Sequence, residues 1–538
     1  MEQNPRHTHE KDKARVIKAA GIVGFATLLS RIFGFIRDMV VAAFFGAGMA
    51  TDAFFVAFRI PNLLRRILAE GDLTMSFVPV FTEYLKKRSR EEALDLADQV
   101  FTLLAIVLTL VTVAGIVFSP VIVTLIAPGF TAEPEKFGLT VFLNRFMFPY
   151  IFFISLVALA MGILNSLRHF AAPALAPVVL NLSMIGAALL LKDYFEEPII
   201  ALAIGVVIGG FMQLAMQIPI LVRMGVRLRF NFHFDHPGIR RIGMLMLPAF
   251  VGSAVYQINI FISTLLASYL PGGSVSYLYY ADRIVELPLG IFGIAVGTAT
   301  LPSFSEHAAR EDYEKLKKMI SFSLRLILFV TIPAMAAIIV LRVPIISVLF
   351  QRGEFGISST VLTAQALLFY AVGLWAFSGV RVTVSAFYSL QDSKTPVKVA
   401  VVALLVNVFM SMALMVPLKH GGLALAVSIS SAVNIVLLHL MLARKIGRIL
   451  ERDFYLSVGR TILSSAFMSA VLLGIVYLMG WDTAGPFRER CFILFVAITA
   501  GLATFAASSI LLKSTEMTAL ADMIRRRLAR GGGNAGRQ

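Results

Sequence analysis

The chain has 538 residues, 58% of them hydrophobic and only 15% charged, yet its formal net charge is +16. Soluble domains average about 25% charged residues, so this composition excludes a soluble globular enzyme, a disordered chain and a disulfide scaffold. The lone cysteine, Cys491, excludes an intrachain disulfide. The positive surplus points either to nucleic acid or to the basic loops of a membrane protein, and the placement of the charges decides between them.

A helix that crosses a bilayer needs about 20 predominantly apolar residues. Fourteen such spans are predicted, at 16–45, 51–84, 97–126, 139–165, 173–191, 198–222, 242–269, 276–306, 319–348, 360–389, 396–417, 421–443, 457–480 and 491–512. These runs are long and continuous, which predicts an all-α polytopic membrane protein and not the short alternating strands of a barrel. The first span runs into Arg31 with no small-residue cleavage site, so it is expected to act as its own targeting signal. Polar segments flank the spans: an N-terminal tail at 1–15, a loop at 226–241 and a basic tail at 513–538 that includes Arg525, Arg526 and Arg527.

An even number of spans puts both termini on one side. The loops of that side hold most of the basic residues, among them Lys86, Lys87, Arg88, Arg90, Arg223, Arg227, Arg229, Arg240 and Arg241. The opposite loops are short and hold only Lys136, Lys192, Arg342, Arg352, Lys419, Arg488 and Arg490. The bias places both termini in the cytoplasm and explains the net charge without nucleic acid. The basic loops are expected to meet anionic lipid. No external domain is left to hold an extracytoplasmic active site.

The chain also matches itself. A shift of 223 residues lays Pro79-Val80-Phe81-Thr82-Glu83 on Pro302-Ser303-Phe304-Ser305-Glu306, Ser166-Leu167 on Ser389-Leu390 and Pro173 on Pro396. One residue of slippage lays Ala57-Phe58-Arg59-Ile60 on Ala281-Asp282-Arg283-Ile284, Pro120 on Pro344 and Gly129 on Gly353. The reading is a six-span unit used twice, as lobes at 16–225 and 242–445, with two further spans within 457–512. Units of six spans enter from the same side, the plan of two-lobed transporters with a midplane site between the lobes.

Several charges lie where apolar residues are expected. Span 1 carries Arg31, Arg37 and Asp38; span 2 carries Asp52, Arg59, Arg65, Arg66, Glu70 and Asp72; span 8 carries Asp282, Arg283 and Glu286. A central charge costs about 2.5–3.5 kcal/mol on insertion scales, so each must face protein or water. At 100° per residue, Tyr279, Arg283, Glu286, Gly290, Gly293 and Gly297 form one stripe; Arg31, Gly34 and Asp38 share a face, as do Asp52, Arg59, Asn62, Arg66 and Glu70. Pro61 disturbs the phase beyond it. Two readings stand: buried arginine–carboxylate pairs that hold helices together, or a wet cavity whose arginines bind an anion, arginine being well shaped for phosphate. No nucleotide-binding loop, metalloprotease helix, hydrolase elbow or cysteine pair occurs, so the reading is a transporter without a catalytic or ATP-binding motif.

The stretch Ser30-Arg31-Ile32-Phe33-Gly34-Phe35-Ile36-Arg37-Asp38, then Thr51-Asp52-Ala53-Phe54-Phe55-Val56-Ala57-Phe58-Arg59-Ile60-Pro61-Asn62-Leu63-Leu64-Arg65-Arg66 with Ala69-Glu70-Gly71, resembles the opening of the MurJ/MviN lipid II flippases. Tyr279-Tyr280-Ala281-Asp282-Arg283 with Glu286-Leu287-Pro288 resembles the family's span 8. The resemblance implies the fold of the multidrug/oligosaccharidyl-lipid/polysaccharide (MOP) exporter superfamily. It also implies alternating-access movement of undecaprenyl-pyrophosphate-linked peptidoglycan precursor from the inner to the outer leaflet of a bacterial cytoplasmic membrane, serving cell-wall synthesis.

It further implies substrate-binding arginines at Arg31, Arg37, Arg65 and Arg283. It also implies sensitive acids at Asp38, Asp52 and Glu70; gate or supporting roles are assigned to these and, from their place in the spans, to Arg59, Arg66, Asp282 and Glu286. Where face arithmetic favours Arg66, the family motif favours Arg65. Some members bind sodium with carboxylates near spans 7, 11 and 12. Here span 7 offers Tyr256, Gln257 and Asn259 and span 11 only Asn407, so no cofactor is expected and coupling to the membrane potential is the counterpart reading. The alternatives are another exporter of the same fold (an O-antigen or polysaccharide-lipid flippase, or a multidrug–cation antiporter), a polyprenyl glycosyltransferase, and a structural partner of the cell-wall synthesis machinery. A cation exporter should present carboxylates in place of arginines, a glycosyltransferase needs a catalytic acid in a sizeable external loop, and a structural partner leaves the intramembrane arginines unexplained.

Overall fold

The structure, a computed structural model, describes residues 5–65, 72–290 and 294–518. Among the described residues the regular structure is helical: α1 (Pro5–Phe45), α2 (Met49–Arg65), α3 (Asp72–Lys87), α4 (Arg90–Val117), α5 (Ser119–Ile126), α6 (Pro134–Met147), α7 (Tyr150–Ser166), α8 (Ala171–Leu191), α9 (Ile200–Arg223), α10 (Pro237–Ser268), α11 (Ser274–Pro288), α12 (Ile294–Ala309), α13 (Tyr313–Phe350), α14 (Ile357–Val372), α15 (Leu374–Ser389), α16 (Lys394–Ile446), α17 (Arg452–Leu478) and α18 (Phe487–Leu511). Among the described residues, each predicted span falls on helix. Spans 3, 4 and 10 are each divided between two helices, and spans 2 and 8 each hold two helices flanking residues outside the described ones. Spans 11 and 12 run together as α16, which turns at Lys419, a residue with φ 49° and ψ −133°.

Among the described residues, eight helical stretches are long and apolar enough to cross a membrane, and the α14–α15 pair, bent by 41°, makes a ninth. Helices α2, α3, α11 and α12 run for 15 to 17 residues each among the described residues. Many large apolar side chains lie exposed, including Leu190, Val416, Phe467 and Leu478, as expected of a surface whose solvent is lipid.

Local signals set the helix ends. Ser89 accepts a hydrogen bond from the Glu92 amide at 3.0 Å, the first half of a Ser-x-x-Glu capping box that starts α4. Asp312 caps α13 through the Lys315 amide at 3.2 Å. Between α15 and α16, Asp392 accepts from the Thr395 amide at 3.0 Å and from Lys445 at 2.9 Å.

The chain divides into two compact units. The first comprises Met1–Ser276 with Arg352–Glu354, and the second comprises Tyr277–Gln351 with Phe355–Gln538. Each has its own core. In the first, Phe77, Phe81, Leu96, Leu159 and Ile163 join α3, α4 and α7. In the second, Phe304, Ile320, Ile327, Phe387 and Leu442 join α12, α13, α15 and α16. Phe81 and Phe304, paired by the sequence repeat, are both fully buried. Arg168 and Gln391, one residue beyond the matched Ser-Leu pairs, both take left-handed backbone angles (φ 63° and 57°). Helices α17 and α18 pack on α13 through Leu341, Met468, Leu472, Leu494 and Ala497.

Two glycines of the first unit are fixed by close approach. A Cβ on Gly129 would lie 2.3 Å from the Ser268 carbonyl oxygen, and one on Gly353 (φ +56°) would lie 2.1 Å from that of Ala43. Hydrogen bonds hold both approaches, from the Gly129 amide to Ser268 Oγ at 3.0 Å and from the Glu354 amide to the Ala43 carbonyl at 2.9 Å.

Candidate functional site

A charge in an apolar helix has to be paired or wetted, and the two units solve this differently. In the first unit, Arg37 is 7% exposed. Its Nε and Nη2 donate to Asp38 Oδ1 at 3.1 and 2.7 Å, and its Nη1 donates to Asn181 Oδ1 on α8 at 3.1 Å. Asn181 in turn donates to the Ser30 carbonyl at 3.2 Å, so one amide bridges α1 and α8. Gly34 faces this bridge, and a Cβ there would sit 3.4 Å from Asn181 Nδ2, an ordinary van der Waals contact. Arg31, two turns earlier on α1, is half-buried and has no ion-pair partner among the described residues.

Asp52, near the start of α2, is 1% exposed and accepts four hydrogen bonds. Its Oδ1 receives the Ser276 amide at 2.9 Å and the Ser276 hydroxyl at 2.7 Å; its Oδ2 receives the Gly273 amide at 2.7 Å and Lys136 Nζ at 3.2 Å. Lys136 is fully buried, lies 4.2 Å from the Phe130 ring centroid and stands 3.9 Å from Glu133. Asp52 and Ser276 occupy matching positions in the slipped register of the repeat. Further along α2, half-buried Arg59 donates to the Thr264 hydroxyl of α10.

The second unit holds the other group. Arg283 on α11 is 33% exposed at its side chain and meets Glu286, 49% exposed, at 3.2 Å. Its guanidinium lies over Tyr279, 5.5 Å from the ring centroid. Asp282 is exposed. Thus Tyr279, Arg283 and Glu286 meet as neighbours on one helix face, as the 100° arithmetic predicts. Arg65 ends α2, but its side chain lies outside the described residues, as do Arg66 and Glu70.

Two basic residues that the sequence places in outer loops are buried. Lys136 is the counter-ion of Asp52, and Arg490, 8% exposed, donates to Ser347 Oγ at 2.7 Å and to the Thr483 carbonyl at 3.3 Å. The sequence reading also missed Asn181 and Thr264, the acceptors of Arg37 and Arg59. Charge counting cannot find such partners: it assigns a residue to a side of the membrane and says nothing of what packs above it. A polar residue alone in an apolar span was the one available signal for Asn181.

Chemically, Asp52 and Arg37 have most of their hydrogen-bonding capacity committed to protein, which makes them fasteners. Arg283 is a third exposed and lies beside the Tyr279 face and the Glu286 carboxylate, and a guanidinium is well shaped for a phosphate. No cluster of three or more His, Cys, Asp or Glu that would hold a metal ion occurs among the described residues.

The sequence profile of the family described as lipid II flippase MurJ matches residues 41–487. The chain belongs to this family. Among MurJ relatives, the "Probable lipid II flippase MurJ" of Buchnera aphidicola (from Acyrthosiphon pisum) is 37% identical over 473 residues, covering 88% of this chain and 93% of the relative. The "Lipid II flippase MurJ" of Burkholderia cenocepacia is 34% identical over 496 residues, covering 89% and 95%. A solved structure of the lipid II flippase MurJ in an inward closed conformation superimposes with a TM-score of 0.75 at 27% identity, covering 91% of this chain and 98% of that one. An inward-facing multidrug-resistance transporter of the MOP superfamily superimposes at 0.66 with 16% identity, a likeness of fold alone. The chain is therefore an all-α, multi-pass membrane protein of a transporter family, with the MOP fold. The profile match begins at Val41, beyond Arg31, Arg37 and Asp38.

Proposed function

We propose that this chain flips lipid II, the undecaprenyl-pyrophosphate-linked disaccharide peptide of peptidoglycan synthesis, from the inner to the outer leaflet of the bacterial cytoplasmic membrane. Membership of the MurJ family along residues 41–487 carries the reading. The mechanism is alternating access: a cavity opens to the cytoplasm, accepts the headgroup while the polyprenyl tail stays in lipid, and reopens outward.

Within that mechanism the phosphates are met by Arg283, Arg31 and Arg65, which replace water around the anion. Arg37 joins them only when Asp38 and Asn181 release it. Asp38, Asp52, Arg59, Arg66, Glu70, Asp282 and Glu286 hold or gate these arginines. The guanidinium of Arg283, a third exposed and beside Tyr279 and Glu286, supports this division. Fourteen crossings, arranged as lobes at 16–225 and 242–445 followed by two more, with both termini cytoplasmic, fit the helices and the basic loops. Anionic lipid meets those loops, and the cell-wall synthesis machinery takes the product. A potential negative inside assists outward movement of an anionic headgroup by about 2.3 kcal/mol per charge per 100 mV; spans 7 and 11 offer no carboxylate for sodium, which supports the potential as the driving force.

Complementation tests the reading. In a bacterium depleted of its own flippase, the wild-type chain is expected to restore lipid II on the outer leaflet, whereas Arg283→Ala fails while still inserting in the membrane. Equal rescue by Arg31→Ala, Arg37→Ala and Arg283→Ala overturns the arginine mechanism.

A further inference from the structure

We infer that the second unit carries a binding site for an anionic glycerophospholipid, with one acyl chain in an apolar slot walled by α13, α15, α16 and α17 and the headgroup phosphate on Arg444 and Arg448. The slot has a volume of about 530 Å³, within the range of about 300–1,000 Å³ typical of ligand pockets. Apart from His439 and Tyr455 its walls are apolar, with Leu328 and Ile332 from α13, Trp375 from α15, Ile435 from α16 and Val458 from α17. It opens sideways, where Val436, Leu440, Tyr455 and Ile462 are about half exposed. An acyl chain can therefore enter from the bilayer without crossing a polar barrier.

The second observation is the mouth. A smaller cavity of about 390 Å³ shares His439, Leu440, Leu450 and Tyr455 with the slot and adds Arg444 and Arg448. Both arginines are exposed at the end of α16 and in the turn that follows it. Arg448 Nε donates to the Leu450 carbonyl at 3.1 Å, and Arg444 has no ion-pair partner among the described residues. Neither cavity is lined by a carboxylate. An apolar slot that ends in two arginines, a histidine and a tyrosine hydroxyl complements an acyl chain ending in a phosphate, and basic pockets between membrane helices recognise such headgroups. A polyprenyl tail has no anion to place at this mouth once its pyrophosphate is held by the arginines of α1 and α11. Hence the phospholipid is the occupant argued for.

The choice of phospholipid over a polyprenyl tail rests on the transport reading, whereas the site itself is tested by binding alone. The purified full-length protein is reconstituted with a photoactivatable phosphatidylglycerol whose acyl chain bears a diazirine, or with the matching phosphatidylcholine. Crosslinked peptides are then mapped by mass spectrometry. Adducts of the phosphatidylglycerol are expected on α13, α15 and α17 at the slot, with little from the phosphatidylcholine. A basic group at an anionic membrane surface contributes about fivefold in affinity, so Arg444→Ala/Arg448→Ala is expected to lower slot adducts by about 25-fold, and Arg444→Lys/Arg448→Lys to restore most of them. Val458→Trp, which fills the slot, is expected to remove adducts of both lipids there. Equal yields from the two lipids, or slot adducts that survive the double alanine variant, overturn the proposal. Displacement of the label by unlabelled polyprenyl pyrophosphate but not by phosphatidylglycerol also overturns it and assigns the slot to the substrate tail.

Discussion

Asp52 and Arg283 are both charges in otherwise apolar stretches, yet their surroundings are opposites. Asp52 is sealed from solvent and holds four donors on two oxygens. Arg283 is a third exposed, with the Glu286 carboxylate at 3.2 Å and the Tyr279 ring beneath it. A buried ion pair adds little net stability, but removing one partner leaves a charge stranded; a wetted charge can exchange its neighbour for a ligand at small cost. One sequence feature, a charge inside a span, therefore covers a fastener in one place and a receptor in another.

The largest effect is expected where the seal is complete. Lys136→Met strands the Asp52 carboxylate and should cost about 3–5 kcal/mol, read as a lower thermal unfolding midpoint in detergent; Asp52→Asn/Lys136→Met should recover much of it. An unchanged midpoint in the single variant would erase the distinction drawn between the two charges. Next, Arg283→Ala should leave the midpoint unchanged but weaken lipid II binding by roughly ten- to a hundredfold, the value of a charge-assisted hydrogen bond worth about 1.5–3 kcal/mol. Loss of stability instead would make Arg283 a second fastener.

Asn181→Ala tests the intermediate case. It removes an acceptor from buried Arg37 and should cost about 1–3 kcal/mol, with lipid II binding retained at a temperature where the variant is folded. A binding loss as large as that of Arg283→Ala would move Arg37 to the receptor side. The smallest effect concerns a charge at the surface. The Lys445 ammonium and the Thr395 amide hold the Asp392 carboxyl down at about 2, below the ordinary carboxylate range. Its contribution is complete above the ordinary carboxylate range and is lost as pH falls through about 2. Hydrogen exchange at the Thr395 amide should therefore gain protection as pH rises from 2 to 5, once corrected for intrinsic exchange rates, and Asp392→Asn should flatten that dependence.

The helical class and the family were legible because both reside in local pattern. Long apolar runs are read one residue at a time, and the Arg31–Arg66 motif is nearly contiguous. The stripe of Tyr279, Arg283 and Glu286 was legible for the same reason: one helix turn sets the spacing. What escaped depended on chain segments far apart. Lys136 reads as a loop charge because nothing near it in sequence announces Asp52, and Asn181 differs from any other polar residue in a span only by what α1 lays against it. Pro61 sets another limit, since a phase counted through a proline says little about which of Arg65 and Arg66 faces inward.

Glu354 has a consequence for how the molecule is made. Its amide bonds to the Ala43 carbonyl, and residues 352–354 count with the first unit although the chain has passed to the second at Tyr277. Synthesis at about 5–20 residues per second puts several seconds between Ser276 and Glu354 leaving the ribosome. The first unit is finished only after residues 277–351 of the second have been translated. The two halves are thus assembled on overlapping schedules, and a truncated chain released before residue 354 carries an incomplete first half.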